Sequence, residues 1–168
     1  GYAFLGWFTQ ETGGTQVDGN TVFKEAASTT YYAHWEEATV FSVVVPAVLP
    51  VTVDQNGKVY VSNAEIVNHS TAAVQVSSVT LTAENGWTLV PYASDMSHAK
   101  VDSNQIGFKI NSAQTSKTGS TEQFELTSPW QINEEENLTL TYDAVVSALS
   151  QPVTNANILC VLFVVEWA

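Results

Sequence analysis

GYAFLGWFTQETGGTQVDGNTVFKEAASTTYYAHW, residues Gly1 to Trp35, sets the period for everything that follows. Tyr2, Phe4 and Gly6 alternate with Ala3, Leu5 and Trp7, the pattern of a short aromatic strand. Aromatic side chains favour strands because a pleated, half-buried surface gives them flat neighbours. Thr12-Gly13-Gly14-Thr15 predicts a tight turn, since paired glycines supply positive φ without steric cost. Val17 opens a return segment, Asp18-Gly19-Asn20 is a second turn, and Thr21-Val22-Phe23 is a brief apolar step. Thr30 to Trp35 reads as a second aromatic strand able to share one hydrophobic face with the first. A piece this short cannot hold a fold alone without disulfides or metal.

Period two continues beyond Trp35. Val40 to Val45 is an apolar run closed by Pro46. Val51-Thr52-Val53 and Val59-Tyr60-Val61 flank Asn56-Gly57, the strongest short hairpin signal. Asp54, Asn56 and Glu65 resemble parts of a calcium loop, but Gly57 comes too early and Val59-Tyr60-Val61 fills the ligand positions. Ala64 to Asn68 is a further strand, and Ala73 to Ala83 alternates Val74 and Val76, then Val79 and Leu81. That slip of phase across Ser77-Ser78 predicts a bulge or a bend between sheets. Trp87 to Val90 leads into an irregular stretch, Pro91 to Asp102. Gln105 to Asn111 alternates Ile106, Phe108 and Ile110, and Ser112 to Gly119 reads as a loop. Glu122 to Leu126 alternates until Pro129-Trp130 breaks it, and Glu134-Glu135-Glu136 makes a solvated turn. Leu138 to Val146 is one long strand with Leu138, Leu140 and Tyr142 inward. Ser150-Gln151-Pro152 turns the chain. Ile158 to Val165 is continuously apolar, as in a strand buried on both faces, with Cys160 a buried thiol inside it.

Roughly nine or ten strands with frequent turns and no helical period give an all-β antiparallel β-sandwich. Its predicted core is Val53, Val59, Val67, Val74, Val76, Leu81, Trp87, Phe108, Leu140, Tyr142, Leu159 and Phe163.

Composition narrows the partners. Of 168 residues 45% are hydrophobic and only 13% charged, a globular chain whose outer strand faces carry hydroxyls and amides. Acidic residues number 17 against 5 lysines, a formal charge of −12. Phosphate neutralisation needs Lys and Arg patches, so nucleic acid and anionic membrane surfaces are excluded as partners. No apolar run reaches the roughly 18 residues a membrane span requires. The opening residues do not form a signal peptide.

The residues Gly1-Tyr2-x-Phe4-x-Gly6-Trp7-Phe8, Gly13-Gly14-Thr15 and Tyr32-Ala33-His34-Trp35 together resemble the second half of an internalin-type B-repeat, the Listeria–Bacteroides repeat. The resemblance covers Gly1–Trp35 and lacks the family's usual first strand. It implies an incomplete β-grasp-like module at residues 1–37, ahead of a sandwich domain at 38–168. That sandwich, with Asn85-Gly86-Trp87-Thr88-Leu89 after an alternating strand, is similar to surface domains of Gram-positive bacteria, which implies an extracellular, cell-surface location. The implied function is a non-enzymatic module for adhesion or surface display, its partner a host or bacterial surface protein or a glycan. The missing strand leaves an exposed edge, expected to be covered by the sandwich body or by a neighbouring chain, the latter through strand-mediated self-association of residues 1–35.

Catalytic chemistry finds no pattern. His34, His69 and His98 stand in unrelated contexts, with no metal-ligand spacing, and no nucleophile elbow or phosphate loop occurs. No metal or cofactor is expected. Asn68-His69-Ser70 and Asn137-Leu138-Thr139 match glycosylation sequons, idle in a bacterium. The alternative function is a carbohydrate-binding module, because 5 tryptophans and 6 tyrosines can build a stacking platform. Its candidate ligand-binding residues are Trp130, Trp87 and Tyr92. An exposed aromatic row would carry this reading; burial of Trp7, Trp35, Trp87 and Trp130 together would defeat it.

Overall fold

The computed structural model describes residues 1–22, 28–54, 58–151, 153 and 156–168. The chain is all-β, built of several antiparallel sheets in a sandwich-like arrangement, with no α-helix among the described residues. It divides into two compact units, Gly1–Val40 and Phe41–Ala168. Phe23, the Asn56-Gly57 hairpin tip and Pro152 lie outside the described residues.

In the first unit, β1 (Tyr2–Phe8) is central, between β2 (Gln16–Val17) and β3 (Tyr32–Glu37). Gly13 and Gly14 turn the chain at φ 70° and 80°. The Thr9 amide donates to the Thr15 carbonyl across that turn, at 3.0 Å. Phe4 pairs with Trp35 and Gly6 with His34, so the register slips at Leu5. Gly6 takes φ 133°, and the Gln16 side-chain amide donates to the Leu5 carbonyl at 2.8 Å, which binds the bulge to β2.

The second unit begins with β4 (Val43–Val44), much shorter than the predicted run, followed by the hairpin of β5 (Val51–Val53) and β6 (Val59–Val61). β7 (Ala64–Asn68) pairs with β4 and with β13 (Asn137–Leu140). Its inward phase is Ala64, Ile66 and Asn68, so Val67 is not a core residue. Asn68 hides this from a hydrophobicity pattern: it is fully buried, yet its side-chain nitrogen donates to the carbonyls of Ala72, Ile132 and Asn133. Its oxygen accepts from the Ser70 amide at 2.8 Å.

β8 (Val74–Ala83) is the central strand of a second sheet, between β12 (Thr121–Ile132) and β15 (Leu159–Trp167). The phase slip in its sequence is a real bulge. Val164 pairs with Ser78 and Val165 with Val76, leaving Ser77 unmatched, while Ser78 and Val79 are both buried. β12 runs through Pro129 instead of stopping there: Glu125 pairs with Ser78 and Trp130 with Val76, so residues 126–129 loop out of register.

The third sheet holds β9 (Thr88–Leu89), β10 (Gln105–Ile110), β11 (Ala113–Gln114) and β14 (Tyr142–Val146). β9 lies parallel to β10, the exception among the antiparallel pairings of the described residues. β11 forms inside the predicted Ser112–Gly119 loop. The predicted Leu138–Val146 strand is two strands. At Thr141 the chain leaves the β7 sheet for the β10 sheet, held by reciprocal bonds with Asn111: Asn111 amide to Thr141 carbonyl, 2.7 Å, and Thr141 amide to Asn111 Oδ1, 2.8 Å. Asn111 stands at φ 46°, a conformation asparagine tolerates better than most residues.

One core joins these sheets, with Ile66, Val74, Leu81, Ile106, Phe108 and Ile110 at its centre. β15 departs furthest from its sequence reading. It alternates half-buried Leu159, Val161, Phe163 and Val165 with exposed Cys160, Leu162 and Val164. The strand is therefore covered on one face only, and the Cys160 thiol is exposed, not buried. A continuous apolar run cannot distinguish a doubly buried strand from an edge strand with an apolar outer stripe.

Candidate binding face

Among the described residues, the first unit carries the most concentrated exposed aromatic surface. Tyr2 and Phe4 share a strand face by alternation. The bulge at Leu5 brings Trp7 back to that face, where its ring meets Phe4 edge-on at 5.9 Å and 74°. From β3, Trp35 lies 5.0 Å from Phe4 at 55°. Tyr2 is 72% exposed, Phe4 48%, Trp7 52% and Trp35 57%. The opposite face is smaller: Phe8 stacks on His34 at 4.1 Å and 8°, and His34 Nε2 donates to the Gln10 carbonyl at 2.9 Å. The sequence put both aromatic strands on one shared face. It did not show that the face stays uncovered, although a unit of this length cannot bury rings on two sides.

Trp130, Trp87 and Tyr92 do not build a common surface. Trp130 is 9% exposed, inside the core of the second unit, and its indole N–H donates to Ser112 Oγ at 2.9 Å. It has no free face for a sugar ring. Trp87 is half-buried against the same core. The Tyr92 hydroxyl donates to Asp143 Oδ2 at 2.7 Å, and that bond, with partial burial, raises its pKa above the ordinary phenol value. No ring contact links the three among the described residues.

Several carboxylates are tied to nearby backbone amides, among them Asp18, Asp95, Asp102 and Asp143. A groove of about 760 Å³ lies over β14, flanked by Asp95, Met96, Lys58 and Val59. Asp143 on its floor accepts from Tyr92 and from the Ala144 amide, and Asp95 accepts from the Ser97 amide. Those amide and hydroxyl bonds hold the Asp95 carboxyl below its usual range. His69 lies 3.5 Å from Glu135 and His98 3.6 Å from Asp95, in different loops. Among the described residues no three His, Cys, Asp or Glu side chains gather as metal ligands would. No helix among them is long and apolar enough to cross a membrane.

Among the described residues Glu122 is the one buried carboxylate. Burial pushes its pKa up, but the Ser116 hydroxyl, the Ser116 amide and the Lys117 amide all donate to it, and the net shift is downward. It ties β12 to the 116–117 segment.

Compared with protein-family models, curated proteins and solved structures, the chain matches none.

Proposed function

We propose that the chain is a non-enzymatic binding module displayed on a bacterial cell surface, in adhesion or display, with the Phe4–Trp7–Trp35 face as its contact surface. One observation carries the reading: large rings clustered on one face of a small sheet, each about half exposed. Exposed aromatic clusters mark interaction sites, because aromatic anchors supply much of the energy at interface centres. The ring angles bear on the kind of partner. Trp7 and Trp35 stand at 74° and 55° to Phe4, so the rings share no plane. A sugar platform wants flat faces laid side by side; a tilted cluster suits an apolar pocket or strand face on a protein. The surface location rests on the resemblance of Gly1–Trp35.

Carbohydrate binding is the second reading, favoured by the exposure of Tyr2, Trp7 and Trp35 together. A fluorescent form of the full chain, applied to Gram-positive and to epithelial cells, tests both. Binding that survives glycosidase treatment, falls after protease treatment and is lost in Trp7→Ala/Trp35→Ala supports the protein-binding reading. Loss on glycosidase treatment, matched by a glycan-array signal, supports the second. Cell binding unchanged in the double variant removes the aromatic face from both.

A further inference from the structure

β15 ends its sheet without a partner among the described strands, since the order is β12-β8-β15. The Glu84 amide donates to the Ile158 carbonyl across the β8–β15 ladder. Backbone groups alternate direction along an antiparallel strand. Ile158, Cys160 and Leu162 thus turn theirs to β8, while Leu159, Val161 and Phe163 turn theirs to the open edge.

Open edges are normally guarded by lysine, proline or inward charge. Ile158 to Val165 contains none of these. The outer side chains beside that edge are apolar as well: Leu162 is 59% exposed, Val164 44%, and Cys160 is exposed. One and two strands inward, the same face turns polar. Thr121 bonds Thr82 at 3.3 Å, and Gln123 bonds Glu125 at 2.7 Å. The apolar stripe is therefore confined to the strand whose backbone is free.

We propose that β15 is a self-association strand, pairing antiparallel with the same strand of a second copy about a two-fold axis at Leu162. In that register Leu162 opposes the partner's Leu162 and Cys160 opposes the partner's Val164. Val161 opposes the partner's Phe163 and Leu159 the partner's Val165. Every pair is apolar, outer with outer and inner with inner. Val161 and Phe163 both present open-edge backbone groups, as the hydrogen-bonded pairs of a new ladder must. Glu166, the one charge on the strand, falls outside the overlap. The chain's formal charge of −12 opposes association of two copies, but none of it lies within Ile158–Val165. Its complement is another uncharged edge of equal length. Such a patch is self-complementary and closes at two copies. The contact is small, so the dimer is concentration-dependent.

Sedimentation of the full chain reads the mass directly. It rises from 18.2 kDa toward twice that value as concentration increases, and Leu162→Lys holds it at the single-chain value throughout. Leu162 is exposed, so that variant folds, which circular dichroism checks. Cross-linking in a Cys160→Ser background fixes the register. Leu162→Cys sets two thiols opposite each other at a Cα separation of about 4.5–5.5 Å, within disulfide range. Thr80→Cys, on the adjoining strand of the same face, serves as the control. Disulfide dimer at Leu162→Cys exceeds that at Thr80→Cys by about tenfold in a glutathione buffer. Equal cross-linking at both positions overturns the proposal. So does a wild-type mass that stays at 18.2 kDa, which would leave the edge to a different chain.

Discussion

Phe4 and Trp35 oppose each other across β1 and β3, their rings 5.0 Å apart and tilted at 55°, on a face where both remain about half exposed. Phe4 also meets Trp7, so it is the hinge of the cluster. Aromatic pairs contribute about 0.5–1.5 kcal/mol beyond the area they bury. Phe4→Ala should therefore raise amide exchange across Tyr2–Phe8 and Tyr32–Glu37 by about 5- to 30-fold, the equivalent of one or two kcal/mol. Exchange in Val74–Ala83, in the other unit, should not change. Mass-spectrometric hydrogen exchange on both segments makes the comparison.

Glu122 predicts a pH dependence. Its folded-state pKa is depressed, so its contribution is present above the unfolded value, about 4.5, and is lost as pH falls through the folded value. Glu122→Gln removes the charged acceptor from the Ser116 and Lys117 amides. The variant should be about 1–3 kcal/mol less stable at pH 7. The gap should narrow as acid protonates the wild-type carboxyl. Urea midpoints measured from pH 7 down to pH 3 check this; a gap independent of pH would refute it.

The parts legible in sequence are those where one face is wet and the other dry. β10 showed Ile106, Phe108 and Ile110 in register because Lys109 marks the outside. The β8 bulge was visible because valines stand on both sides of the slip. Where polarity and burial part company, the reading failed. Asn68 is polar and fully buried, so an apolar pattern sets the phase of β7 at Val67. Leu162 and Val164 are apolar and exposed, so β15 looked buried on both faces. Pro129 looked like a strand end because a proline cannot donate to a ladder, yet the out-of-register segment gives it a place where no bond is needed. The aromatic face was legible in its residues but not in its exposure, which depends on what else covers it.

Asn68 binds three segments at once through the carbonyls of Ala72, Ile132 and Asn133 and the amide of Ser70. Asn68→Ala would leave those buried groups without partners. Each orphaned group costs about 1–3 kcal/mol, and relaxation recovers part of the sum. The expected loss is about 3–5 kcal/mol, read from denaturant unfolding. A loss under about 1 kcal/mol would show that water replaces the side chain without penalty.

Gly107 allows the 91–92 segment to lie on β10. A Cβ there would meet Tyr92 Cα at 2.8 Å, Val145 Cγ2 at 2.8 Å and the Pro91 carbonyl oxygen at 2.9 Å. Gly107→Ala must move that backbone, at a cost of about 1–3 kcal/mol. Tyr92 moves with it, and its bond to Asp143 weakens. The phenol, raised in the wild type chiefly by that bond, should then titrate closer to its ordinary value. Carbon-13 NMR of the tyrosine Cζ signals follows the shift; an unmoved Tyr92 titration would contradict it.

Trp130 and Trp35 make a contrasting pair. Trp130 is enclosed by the core, with its N–H held by Ser112, and Trp35 is more than half exposed. Trp130→Ala should cost about 3–5 kcal/mol of stability, as large cavities do. Any fall in cell binding should then track the unfolded fraction and vanish when corrected for it. Trp35→Ala should leave the urea midpoint of the 41–168 unit unchanged and still reduce binding. Thermal unfolding and cell binding of both variants, measured on the same samples, separate the roles. If Trp130→Ala folds normally and loses binding, the working surface lies on the sandwich, and the aromatic face of the first unit is not the contact.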